Sequence, residues 1–419
     1  EKVGMLAGDR IVTIDDSIVA GKGWSDVKVR STLRGPKDTK VKLGISRSSS
    51  PDLLEFIVTR GDIPVTSIDA AYEIAPGIGY IKVNKFGAST YSEFLTSLME
   101  LISAGDAEKL IIDLRSNTGG YMEVAEMMVN EFLEQGMPIV SMKGKNAPDR
   151  GPTVADGRGS FKDTDVVVLL DEFSASSSEI FAGAIQDNDR GLIIGRRSFG
   201  KGLVQNQLPL SDGSALRLTI ARYYTPSGRC IQKTYAPGID YDRDLFERFE
   251  RGEQFSRDSI HLNTDNVFAT RSGRTVYGGG GIMPDIFVAS DTADISSDYL
   301  RALNAGLLQK FAFRYVNAHR AELEKASDVS QLMEILPNEW TLAAEFQTFA
   351  RAHGISINKA YNVNKYRRRL VNNLRALIAR DLFGVEGYYE VDNLNDPTVK
   401  AAIEALESGQ AEAPVKIGL

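Results

Sequence analysis

Chemistry concentrates between Asp165 and Gln205, in the stretch DVVVLLDEFSASSSEIFAGAIQDNDRGLIIGRRSFGKGLVQ. It holds a serine cluster, Ser174, Ser176, Ser177 and Ser178. It also holds Lys201, flanked by Gly200 and Gly202 and placed 25 positions after Ser176. A hydroxyl becomes a useful nucleophile when a neighbouring base takes its proton. Histidine is the commonest base, yet the three histidines, His261, His319 and His353, all lie beyond this stretch. A neutral lysine can do the same work if burial lowers its pKa from about 10.4 to roughly 7–8. Phe199 and the flanking glycines suit a close, dry approach by that amine. The expected chemistry is attack of Ser176 on a carbonyl, with Lys201 as general base.

Such a pair must be brought together by the elements around it. Val166 to Leu170 is a continuous apolar run, the pattern of a strand buried on both faces of a parallel sheet. The next segment reads as a helix with Ile180, Phe181, Ala184 and Ile185 on one face, and Leu192 to Ile194 as a second strand. Strand, helix, strand is a right-handed crossover, so the loops after both strands leave the sheet at one edge. Ser176 and Lys201 occupy those two loops. Lys109 to Leu114 is another buried strand, and it runs into Arg115-Ser116-Asn117-Thr118-Gly119-Gly120 before a helix over 121–133. These glycines share the same edge. The Gly119 and Ser177 amides are therefore the expected donors to an oxyanion, the latter at a helix N-terminus. Each feature also has a purely structural reading. Ser176 to Glu179 matches a capping box, Gly119-Gly120 a tight turn, Lys201 a solvated loop lysine, and Asp113 with Arg115 an ion pair.

The rest of the chain frames this core. Residues 1–64 read as a small α+β module: a strand within 8–16, a helix over 24–33, and strands over 39–46 and 53–59. Residues 65–290 alternate strand and helix, with strands at 79–86, 109–114 and 138–142, a helix over 91–102 and a polar, glycine-rich loop over 143–162. After Lys201 come a hairpin (203–210 and 215–224), a charged helix over 240–254 and a strand over 286–289. Residues 291–419 turn helical and alanine-rich, including a basic helix over 359–380 whose Leu370, Leu374 and Leu377 pack beneath a solvated face. The fold class expected is α/β for the core, with a helical C-terminal domain.

With 419 residues, 42% apolar and 25% charged, the chain has the composition of a soluble globular protein of two or three domains. Its net charge of −7 argues against a general nucleic-acid binder. Cys230 is the single cysteine, so an internal disulfide and a cysteine metal cluster are both excluded. No cofactor or metal is expected. No apolar run reaches the ~18 residues of a membrane span. Glu1 in place of methionine reads as a trimmed or processed chain.

Five segments together resemble the C-terminal processing peptidases, or tail-specific proteases: DLRSNTGG (113–120), SASSSEIFAGAIQDN (174–188), GRRSFGKGLVQ (195–205), YYTPSGRCIQ (223–232) and GGGIMPD (279–285). The resemblance covers roughly residues 5–290, a PDZ module followed by the protease core. It implies Ser176 as nucleophile, Lys201 as general base, Gln205 as the residue orienting that lysine, and oxyanion amides at Gly119 and Ser177. Ser177 stands where the family usually has alanine. It further implies a crotonase-like core of ββα units and an exported, cell-envelope protein. The substrates implied are proteins or peptides with apolar C-terminal tails. AGDRIV, the helix ending in LRGP and VKLGISR resemble the latter part of a PDZ domain, whose opening strand and carboxylate-binding loop are not visible before Glu1. Val27 and Arg30 are the candidate groove residues, and the C-terminal helices the candidate surface for self-association. Two other readings stand beside this one. Gly195 to Lys201 comes one residue short of a phosphate-binding loop, but Gly202 replaces the Mg²⁺-ligating hydroxyl and a strand follows rather than a helix. The second is a peptide-binding scaffold on an inactive protease fold.

Overall fold

The computed structural model describes residues 3–412 apart from 7, 48–49, 64, 104, 146–149, 236–240, 242 and 291–294. The boundary expected at 64 and the start of the helix expected from 240 lie outside the described residues. Contacts divide the chain into two units, Glu1–Val65 with Ala293–Leu394, and Thr66–Thr292 with Asn395–Leu419.

The first unit opens with β1 (Arg10–Ile14), β2 (Ser17–Ile18), α1 (Asp26–Leu33), β3 (Lys40–Ser46) and β4 (Leu54–Thr59). The strands form an antiparallel sheet in the order β2-β1-β3-β4. Alternation in β3 buries Val41, Leu43 and Ile45, onto which Val29 and Leu33 of α1 pack. Ser25 caps α1 by accepting from the Lys28 amide.

The second unit holds the core. Its strands are β5 (Ile68–Ala75), β6 (Ile78–Val83), β7 (Lys109–Asp113), β8 (Pro138–Lys143), β9 (Arg150–Val154), β10 (Asp165–Leu170), β11 (Leu192–Gly195), β12 (Leu203–Pro209), β13 (Ala215–Tyr224), β14 (Val267–Ala269), β15 (Thr275–Tyr277) and β16 (Ile286–Phe287). Its helices are α2 (Thr90–Leu98), continued by a π-helical turn over Met99–Ser103, α3 (Met122–Asn130), α4 (Ser177–Asp187) and α5 (Asp244–Glu250). Six strands run in the order β16-β11-β10-β7-β6-β5, parallel except for the β5–β6 hairpin. Val166, Val168 and Leu170 of β10 join α2, α3 and α4 in one apolar cluster. The period of two turns Val167 and Leu169 to the opposite face, where both are fully buried. A second sheet, β12-β13-β8-β9, carries the hairpin expected after Lys201. The loop expected over 143–162 contains β9, and β5 had no counterpart in the sequence reading.

The chain then returns to the first unit through α6 (Ser297–Asn304), α7 (Leu307–Leu323), α8 (Val329–Ile335), α9 (Glu339–Ala352), α10 (Asn358–Asn362) and α11 (Asn364–Asn393). Gly384, at φ 78°, breaks α11. The last helix, α12 (Pro397–Glu407), behaves differently from the expectation that all of 291–419 forms one domain. It contacts β10, β11 and β7, and so belongs to the core unit. Asp396 caps it by accepting from the Thr398 and Val399 amides, with Pro397 at the first helical position. Among the described residues no helix is long and apolar enough to cross a membrane.

Candidate active site

The crossover β10–α4–β11 is parallel, and it delivers the two expected loops to one edge. The turn after β10 is built by buried polar groups. The Asp171 carboxylate accepts from the amides of Ser116, Phe173 and Ser174 at 2.9, 3.0 and 3.0 Å. Ser174 Oγ donates to the Leu114 carbonyl at 2.9 Å, and the Ala175 amide to the Asn117 carbonyl at 3.0 Å. Thus held, the turn places Ser176 at φ 58°, ψ −114°, directly before α4. A non-glycine residue there costs on the order of 1–3 kcal/mol, which only a surrounding that over-determines the turn can hold. Ser176 is half-buried, and Ser177 as the first helical residue points an unsatisfied amide out of the helix N-terminus.

Glu179, one turn into α4, is fully buried. Its Oε2 accepts from the amides of Ser176 and Lys201, both at 2.9 Å. Its Oε1 accepts from Ser198 Oγ at 2.5 Å and the Gly200 amide at 2.7 Å. Burial pushes this carboxyl above its ordinary value, against the pull of those four donors. The lysine loop is fastened on its other side too. The Gly202 amide donates to Gln232 Oε1 at 2.8 Å, and the Lys233 amide to the Gly200 carbonyl at 2.9 Å. The Ile282 amide donates to Ser198 Oγ at 2.7 Å. Farther along α4, fully buried Arg229 donates to Gln186 Oε1 at 2.8 Å and Asp187 Oδ1 at 2.7 Å.

The structure therefore brings Ser176, Ser177, Gly119 and Lys201 together. A β-carbon on Gly119 would sit 2.7 Å from Ser176 Cβ and 2.9 Å from the Ser177 nitrogen, so glycine is required at this contact. Two of the expected residues have other surroundings in this structure. The Gly119 amide donates to Asn117 Oδ1 at 2.9 Å. Asn117 is itself buried and anchored to the Val83 carbonyl, which explains why its side chain turns inward. Gln205 is exposed on β12 and makes no hydrogen bond to Lys201. No hydrogen bond joins the Ser176 hydroxyl to the half-buried Lys201 in this state; such contacts often tighten only in the substrate complex.

Other expected residues fall elsewhere. In the first unit, Val27 is 75% exposed and Arg30 lies at the surface, 3.9 Å from Asp26. Asp113 and Arg115 do pair, at 2.6 Å, with Lys82 and Tyr80 also on the carboxylate. The segment after Lys201 is strand, so the phosphate-loop reading fails on topology. Among the described residues no group of three or more His, Cys, Asp or Glu could hold a metal ion. Sequence reasoning missed the contributions of Tyr223, Asn117 and Gln232. Tyr223 and Gln232 lie within YYTPSGRCIQ and Asn117 within DLRSNTGG, so the motif set was the available signal.

Residues 77–245 match the model of peptidase family S41, and residues 299–384 that of a family of unknown function (DUF8443). A carboxy-terminal-processing protease of Bartonella bacilliformis is 36% identical over 253 residues, covering 59% of this chain and 57% of the relative. The carboxy-terminal processing protease CtpB of Bacillus subtilis is 32% identical, over 56% of this chain and 48% of its own. A carboxyl-terminal-processing protease of Synechocystis is 34% identical, over 56% and 54%. The chain thus spans about half the length of the curated relatives it matches. Among solved structures, a photosystem II D1 C-terminal processing protease aligns with a TM-score of 0.38 at 28% identity, covering 69% of this chain and 65% of that one.

Proposed function

We propose that the chain is a serine endopeptidase that cuts proteins near their C-termini with a Ser176–Lys201 dyad; the match of residues 77–245 to the model of peptidase family S41 supports this reading. The carrying observation is that the amides of residues 176 and 201 meet on one carboxylate oxygen, at 2.9 Å each. In the proposed reaction Lys201, neutral, takes the proton of Ser176 Oγ as that oxygen bonds to the scissile carbonyl carbon. The oxyanion that forms faces the Ser177 amide at the N-terminus of α4, where the helix dipole favours negative charge. Gly120, exposed and next to the engaged Gly119, is the second donor in this reading, or Gly119 once Asn117 releases it. Protonated Lys201 then gives its proton to the departing amine, and water repeats the sequence on the acyl-enzyme. Gln205 joins by orienting Lys201 after rearrangement of the loop before β12.

The core is, on this reading, crotonase-like, and residues 1–64 a PDZ-type module that takes the apolar substrate tail as an added strand beside α1. The exposure of Val27 and Arg30 on α1 supports their contacting that tail. Cleavage of an unfolded protein with an apolar C-terminus, followed by mass spectrometry of the products, tests the dyad. Ser176→Ala and Lys201→Met each lower turnover at least about 10³-fold, and neither adds to the other in the double variant. Turnover by either single variant within tenfold of the parent rejects the assignment.

A further inference from the structure

Residues 176 and 201 are joined not once but twice. Their two amides share Glu179 Oε2, at 2.9 Å each. Their two carbonyls share the hydroxyl of Tyr223, which lies 3.1 Å from the Ser176 oxygen and 2.6 Å from the Lys201 oxygen. Both side chains are buried, at 0% and 1% exposure. Tyr223 comes from β13, a strand that belongs to neither loop. A glutamate that only caps a helix needs the N-cap amide alone. This one also accepts from Lys201, Gly200 and Ser198, none of them in its helix, and its carboxylate carries the desolvation that a surface cap avoids.

We infer that Glu179 and Tyr223 form a clamp of two positioning residues that fixes the separation of nucleophile and base through their peptide groups. The inference rests on the dyad reading above. Its physical ground is tolerance: proton transfer needs the heavy atoms within roughly 2.6–3.2 Å, and about 1 Å of misplacement costs on the order of 10²-fold in rate. Side-chain rotamers of serine and lysine cannot supply that accuracy if their backbones drift. The strained φ of Ser176 gives the turn a reason to drift once it is untied.

Tyr223→Phe removes the hydroxyl and keeps the ring in its apolar cluster. We expect kcat to fall about 10- to 100-fold with KM changed less than twofold. Glu179→Gln should act in the same direction and more strongly, since its amide presents a donor to a site already lined by four. Ser198→Ala removes one of those donors and should lower kcat in milder form with KM unchanged, which decides the matter if either larger change prevents folding. A kcat within twofold of the parent in Tyr223→Phe, or a loss of kcat matched by loss of folded protein, overturns the clamp. An inactive parent, or an active Ser176→Ala control, overturns the dyad instead.

Discussion

Ser176 holds a backbone conformation that an L-residue avoids, and the reason lies in single contacts around it. The sequence displayed the serine and the glutamate three positions later. Capping logic found their pairing, because that pairing is local. It could not find Tyr223, since a bond from β13 to residue 176 depends on where two sheets meet. Asp113 shows the same limit from the other side. Its ion pair with Arg115 was legible two positions away, whereas Lys82 and Tyr80 arrive through the pairing of β6 with β7. Burial pushes the Asp113 carboxyl up, but the Arg115 and Lys82 charges outweigh it and hold the group far below the carboxylate range. A depressed folded-state value means that the stability is fully present above the ordinary 3.8 and is lost as pH falls below it. Asp113→Asn should therefore cost about 3 kcal/mol at neutral pH. The gap to the parent should close between pH 4 and strongly acidic solution. Thermal melting followed across that range checks it; a gap independent of pH would mean that the charge is not what stabilises.

At the scale of elements, the loops after β10 and β11 leave one sheet edge as expected, because handedness is nearly invariant and β10, α4 and β11 are strongly patterned. Strand order does not decide where the Gly119 amide points. A backbone amide at the right edge can be claimed by a neighbouring side chain, and Asn117 does so. The strand β9 was missed because its sequence, RGPTV, lacks apolar alternation and draws its order from β8. Loop 115–120 is packed so closely on the Ser176 turn that it tolerates no added atom. Gly119→Ala would place Cβ 2.7 Å from the Ala175 carbonyl oxygen at φ 99°, with about 1–2 kcal/mol of backbone strain besides. Activity should fall at least about 100-fold while the melting temperature drops only modestly. Activity near that of the parent would show that this loop does not frame the reacting centre.

At the scale of the whole molecule, composition and helical spacing separated α/β core from helical region, yet the order of the chain misled about where the last helix belongs. An Asp-Pro start and small apolar residues at 399, 402 and 405 suit packing on a sheet as well as on other helices. The contacts of α12 with β7, β10 and β11 reveal the choice. Ala402→Asp buries an unpaired charge against the sheet that carries the loops of Ser176 and Lys201. It should lower the melting temperature by roughly 10 °C and reduce activity in proportion to folded protein. Normal melting would return α12 to the helical region. The proposed mechanism forms one covalent bond to the protein. The parent protein, quenched in acid during turnover of a slowly deacylating ester, should carry the acyl mass on Ser176 when its fragments are sequenced, and Lys201→Met should accumulate none on the same timescale. An adduct on any other residue, or steady turnover with Ser176 never modified, would contradict it.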